Sequence, residues 1–203
     1  MRNKVKIAIT GGIGSGKTEF RNCLKEKGYP VISADYEAKQ ILINNPLVRK
    51  KIINAFGENS YTKTGVNTKY LAETVFSDTA KVMKINEIVH PAVIKHIVEL
   101  MDSFLKENKF VFVEAALIYE AEMEALFDYV VLITSDETEK IKRLTVRDNT
   151  GEEDIRQIMA NQIPDETKKG WADFVFDNNA GLPELHAKAD FLITILKSMS
   201  EDI

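Results

Sequence analysis

Val5-Lys6-Ile7-Ala8-Ile9-Thr10 runs straight into Gly11-Gly12-Ile13-Gly14-Ser15-Gly16-Lys17-Thr18, and this join decides the fold. The second block satisfies G-x-x-x-x-G-K-[ST] without a mismatch, between a β-rich run and a helical pattern. Phe20, Cys23 and Leu24 give that following helix one apolar face. The four glycines let the backbone turn tightly and bring its amides close to a polyphosphate with no Cβ in the way. The helix start adds unpaired amides and a partial positive charge. Lys17 suits the β- and γ-phosphates, the Thr18 hydroxyl suits Mg²⁺, and the amide of Glu19 reaches towards the α-phosphate. The residues from Gly12 to Glu19 (Gly12, Ile13, Gly14, Ser15, Gly16, Lys17, Thr18, Glu19) therefore read as a cradle for a nucleoside triphosphate.

Further β-rich runs at Tyr29–Ser33, Phe110–Glu114, Tyr129–Thr134 and Phe174–Asp177 alternate with helical patterns. Such alternation predicts an α/β fold with a five-stranded, mostly parallel sheet covered on both faces. Ligands in these sheets sit beyond the carboxyl ends of the strands. Between Asn44 and Asn108 only helical patterns are found: Val82, Ile85 and Val89 share one face, and Ile94, Ile97, Met101 and Leu105 another. Pro91 disfavours a helical His90 and is expected to separate these two helices. From Asp148 to Gly170 a helical flap is expected. It opens on Thr150-Gly151-Glu152-Glu153 as a capping box, and Ile155, Ile158 and Met159 carry its helix as far as Pro164.

At 203 residues the chain suits one domain, with insertions, that buries about 70% of the surface its unfolded form exposes. Cys23 is the only cysteine, so no intrachain disulfide is possible, and it reads as a small apolar residue of the inner helix face. The three histidines, His90, His96 and His186, form no cluster with metal-ligand spacing. A net charge of −4 speaks against a nucleic-acid surface. No apolar run approaches the roughly 20 residues that span a bilayer, and a cytoplasmic protein is expected. Neither Asn-Lys pair is followed by the aspartate of a guanine-specific switch.

Several residues near strand ends admit two readings. Asp35 suits a general base for an attacking hydroxyl, and equally an N-cap for a helix over Tyr36–Asn44. Arg143 and Arg147 lie four apart on a helix predicted over Glu137–Arg147 and so face one way. Arg147 borders the flap, where it either closes on the γ-phosphate or satisfies the negative end of the helix dipole. Glu114 ends its strand where a carboxylate either holds a metal through water or has no special task. Lys168 and Lys169 read as solubilising residues, and Trp171 as a packing anchor beneath the flap.

Taken in order, these pieces resemble the dephospho-coenzyme A kinases over nearly the whole chain. Thr10–Thr18 is similar to that family's phosphate loop. Val31-Ile32-Ser33-Ala34-Asp35 resembles its segment with the proposed catalytic base, and His90-Pro91 a pair in its substrate-side insertion. Leu117-Ile118-Tyr119-Glu120, Arg143 to Arg147-Asp148, Gln162, and Ala172–Asn178 resemble its later segments. The resemblance implies a three-layer P-loop kinase-like fold. Its core covers about 1–44 and 109–203, with a helical substrate insertion at about 45–108 and a lid at about 148–170. It further implies ATP and Mg²⁺ as cofactors, with Thr18 on the metal, and dephospho-coenzyme A as acceptor. Asp35, Lys17 and Arg147 become the catalytic residues, while Arg143, His90 and Gln162 are site neighbours. The resemblance implies no membrane or nucleic-acid partner and leaves the oligomeric state open. An alternative is a P-loop kinase of another small alcohol, such as a nucleoside, a nucleotide or a shikimate-like acceptor. Ser33 departs from the family's common aspartate, Ala116 from its proline, and Glu114 from a frequent aspartate.

Overall fold

Strand β1 (Val5–Thr10) is the middle of five parallel strands because its residues are apolar on both faces, as a doubly covered strand requires. A computed structural model describes residues 4–75, 78–148 and 150–201; the remainder, including residue 149 of the expected lid, lies outside the described residues. The other strands are β2 (Val31–Ser33), β5 (Phe110–Glu114), β6 (Tyr129–Thr134) and β7 (Phe174–Asp177), in the order β2-β5-β1-β6-β7. Ile7 lies beside Phe112 on one side and Tyr129 on the other. Helix α1 (Lys17–Glu26) follows the glycine loop and buries Phe20, Cys23 and Leu24 as its spacing predicts. Helix α9 (Leu182–Glu201) packs against it, and together with Ile7, Ile9, Phe112, Val131, Ile133 and Phe176 they make a continuous core. Burial lifts the Cys23 thiol above its ordinary range.

The chain divides into two compact units, Ser33–Leu100 and the chain on either side of it. Helix α2 (Ala34–Asn44) therefore belongs with the inserted helices, not with the core as the expected boundary at residue 44 had it. The inserted unit continues with α3 (Pro46–Phe56), whose Asn45 side chain caps the amides of Leu47 and Val48. Next come β3 (Tyr61–Thr62), β4 (Gly65–Val66) and α4 (Thr68–Val75), and then α5 (Thr79–Phe104), which leads back to the sheet. The β3–β4 hairpin corrects the expectation of helices alone between 44 and 108. At two residues per strand it carries no alternation long enough to read.

Pro91 lies inside α5 and does not separate two helices. Interrupting the ladder there costs about 3 kcal/mol. Ile88 before the proline and Val93 and Ile97 after it are all buried, and each such side chain returns about 1.5–3 kcal/mol. Packing on both sides of Pro91 therefore outweighs the local break.

In the first unit, α6 (Glu137–Asp148), α7 (Glu152–Ala160) and α8 (Asp165–Lys169) follow β6. Ile155 of α7 packs with Ile141 and Leu144 of α6, and Ile13 of the glycine loop and Met159 join them. The expected capping box does not form: Gly151 is the N-cap, and the Thr150 hydroxyl turns back to the carbonyl of Asp148. The helix stops at Ala160, short of Pro164, because Asn161 and Gln162 donate three residues back in a tighter turn. Among the described residues no helix is long and apolar enough to cross a membrane.

Candidate active site

Beyond Thr10 the chain folds into a loop whose amides gather at the start of α1. Ser15 donates its amide to Gly12 O at 3.2 Å, and Phe20 donates to Gly16 O at 3.1 Å. The amides of Thr18 and Glu19, in the first helical turn, have no partner within the helix. Gly16 sits at φ +102°, and a Cβ there would come nearer than 3.0 Å to Asn178 Nδ2. Only glycine lets the loop close this tightly on the turn after β7. Lys17 is buried, with Nζ donating to Gly11 O at 2.7 Å and Gly12 O at 2.9 Å. Its ammonium thus lies against the loop it would serve. The Ser15 hydroxyl in the same cradle is buried without a hydrogen-bond partner among the described residues, and Thr18 is exposed at the mouth. Donors, an ammonium and an open hydroxyl together fit a polyphosphate with its divalent cation.

Side chains from later in the chain hold this loop in shape. Asn178 Nδ2 donates to Ser15 O at 2.9 Å. Arg143 donates to Asn178 O at 2.6 Å, to Ser135 Oγ at 3.3 Å and to Gly14 O at 3.4 Å. Gln162 Oε1 accepts from the Ile13 amide at 2.9 Å, and Asp165 Oδ1 from the Gly12 amide at 3.2 Å. The other Asp165 oxygen pairs with Lys140 of α6. A cavity of about 760 Å³ beyond β6 and β7 has Lys140, Gln162 and Asp165 in its wall.

The remaining expected residues sit as follows. Asp35 is exposed in the first turn of α2, which begins at Ala34, so it lies within the helix and is not its N-cap. Two residues on, Glu37 meets His96 Nε2 of α5 at 3.0 Å and joins those helices inside the inserted unit. Arg147 is largely exposed and grips Asp148 with two bonds of 2.7 Å. These bonds raise the arginine's pKa and lower the carboxyl's. Of the two arginines on α6, it is Arg143, one turn earlier, that touches the loop. Glu114 is buried at the end of β5 and pairs with Arg21 of α1 at 3.2 Å. Among the described residues no group of three or more His, Cys, Asp or Glu side chains is gathered to hold a metal ion.

Two readings of single residues are corrected. Lys168 does not solubilise the flap: it is 0% exposed and lies 2.8 Å from Glu120 Oε1. Trp171 is half exposed, against Tyr119 with ring centroids 5.2 Å apart, and so is not buried beneath the flap. The Lys140–Asp165 pair was also missed. Its members are 25 residues apart on different helices, and no local pattern links them.

A family model described as dephospho-CoA kinase matches residues 5–184. The dephospho-CoA kinase of Salinibacter ruber is 36% identical over 185 residues, 90% of this chain and 93% of that one. Among solved structures, the dephospho-CoA kinase from Campylobacter jejuni superposes with a TM-score of 0.73 at 28% identity. That match covers 100% of this chain and 99% of that one. A shikimate kinase from Acinetobacter baumannii, in complex with shikimate, reaches a TM-score of 0.57 at 16% identity, covering 96% of this chain and 94% of that one. At that identity it shares the fold alone.

Proposed function

Because this chain belongs to the dephospho-CoA kinase family, we propose that Lys17, Asp35 and Arg147 divide the labour of its phosphoryl transfer. The enzyme uses ATP to phosphorylate the ribose 3′-hydroxyl of dephospho-CoA, the last step of coenzyme A biosynthesis. In our reading the loop from Gly12 to Glu19 surrounds the phosphates of ATP, while Asp165 and Gln162 keep the amides of Gly12 and Ile13. Lys17 exchanges the carbonyls of Gly11 and Gly12 for the β- and γ-phosphates. Thr18 would ligate Mg²⁺, whose charge would offset the one that develops on the transferring phosphoryl group.

Asp35 accepts the proton of the 3′-hydroxyl as its oxygen forms a bond to the γ-phosphorus. The bond from that phosphorus to the β–γ bridging oxygen breaks, and ADP leaves. Support for Asp35 comes from its open carboxylate in the first turn after β2 and from the base segment of the family. Arg147 releases Asp148, an exposed partner whose attraction water already screens, and turns to the transferring group. Arg143 stays on the loop. We also propose that residues 45–108 hold most of the acceptor and that about 148–170 act as the lid.

The observation that carries this reading is the family match over residues 5–184, joined to a phosphate loop with its donors gathered. The test is turnover of a panel of alcohols with ATP and Mg²⁺, following ADP and the phosphorylated product. Dephospho-CoA should be the preferred acceptor. Asp35→Asn should lower turnover at least about 100-fold while ATP still binds. Near-normal turnover in that variant removes Asp35 as the base. Turnover of another alcohol with none of dephospho-CoA removes the acceptor assignment.

A further inference from the structure

Among the described residues no hydrogen bond joins Glu120 to the glycine loop, yet its carboxylate meets the segment that does reach the loop. Oε1 accepts from the Ile163 amide at 3.0 Å and lies 2.8 Å from Lys168 Nζ, so one oxygen meets both ends of residues 163–168. Between those ends the backbone is closed on itself, with Thr167 and Lys168 donating to Pro164 O. Trp171 and Ala172 both donate to Lys168 O and carry the same turn towards β7. Gln162 precedes this segment and Asp165 lies within it, and these are the residues that accept from the Ile13 and Gly12 amides.

A fully buried ammonium is an expensive way to hold a helix of five residues. Glu120 Oε2 and Lys168 Nζ are both buried and neither has a hydrogen-bond partner of good geometry among the described residues, so the 2.8 Å approach to Oε1 is an ion pair held by charge. We propose that Glu120 and Lys168 are a positioning pair for ATP binding. Anchored by them, Gln162 and Asp165 set the rim of the phosphate loop before the nucleotide arrives. A loop already in shape loses less freedom on binding, so the pair acts on nucleotide affinity through a preorganised support it never shares with the ligand. This rests on the reading of Gly12–Glu19 as the ATP cradle.

The test uses the whole chain. Glu120→Leu/Lys168→Met removes both charges together and leaves no buried ion unpaired. Calorimetry with ATP and Mg²⁺ should give a dissociation constant at least tenfold above the parent's. Dephospho-CoA should bind within twofold of the parent, and a cooperative thermal transition should remain. A folded double variant that binds ATP within twofold of the parent overturns the proposal. Glu120→Gln, which keeps an oxygen for the Ile163 amide, provides the second measurement. Its Gly12 and Ile13 amides should exchange with deuterium at least tenfold faster than the parent's, while the β1 amides of Ile7 and Ile9 stay unchanged. Equal exchange at Gly12 and Ile13 also overturns it. A parent chain that takes up no ATP would instead end the cradle reading, and the exchange rates would still decide whether the pair sets the rim.

Discussion

Gly16→Ala is the substitution whose effect the structure defines most sharply. Two costs fall on one residue. An alanine at φ +102° occupies a backbone region worth about 1–3 kcal/mol of strain. Its Cβ would also displace the Asn178 carboxamide and break the 2.9 Å bond from Nδ2 to Ser15 O, a further loss of about 0.5–1.5 kcal/mol. The loop form that meets phosphate is thus disfavoured by about 1.5–4.5 kcal/mol. At roughly 1.4 kcal/mol per tenfold, ATP affinity should fall about 10- to 1,600-fold.

Gly28→Ala is the internal control. Gly28 sits at φ +84° in the turn that ends α1, with nothing within 4 Å of the added methyl. It carries the backbone cost alone, about 1–2 kcal/mol, which lowers the melting temperature by a few degrees for a chain of this size. ATP affinity should be unchanged. Calorimetric titration with ATP and Mg²⁺, beside thermal melts, measures both. Gly16→Ala binding ATP within threefold of the parent, or Gly28→Ala weakening it as much, would refute the reasoning.

The two arginines of α6 should separate cleanly. Arg147→Ala should lower kcat by about 100-fold or more and leave the melting temperature nearly unchanged, because its partner Asp148 is an exposed neighbour. Arg143→Ala should lower the melting temperature and weaken ATP binding, because it frees Gly14 O and Asn178 O; the reverse pattern in kinetics and melts would exchange the two roles. Burial holds the His90 pKa below its usual 6.5, so folding favours the neutral ring. Its contribution to stability is complete above about pH 6.5 and is lost as pH falls through the lower folded value. In melts across that window, His90→Gln should lose stability less steeply than the parent on acidification, and parallel curves would exclude His90 as a source of the acid sensitivity.

What was legible in the chain was local. A phosphate loop is a run of eight residues whose glycines, lysine and threonine act through their own backbone and first helical turn, so Gly11–Thr18 could be read directly. The strands beginning at Val5, Phe110, Tyr129 and Phe174 were equally plain, because doubly covered strands are short apolar runs between polar turns. Boundaries set by competition were not. Pro91 argues for a break, and only the burial of Ile88 before it and of Val93 and Ile97 after it decides for one helix. The hairpin Tyr61–Val66 is too short for any periodicity, and the Thr150 hydroxyl bonds back to the Asp148 carbonyl and does not cap the next helix.

The amino-acid sequence by itself determined that a triphosphate cradle sits on a parallel sheet, because contiguous residues write that cradle. Tertiary structure alone decided what holds it. Arg143, Asn178, Gln162 and Asp165 reach the loop from positions more than a hundred residues away. Lys168, a surface residue by every local rule, is sealed inside against Glu120. A charge can be buried only where the fold brings its counter-charge, and no pattern along the chain records that meeting.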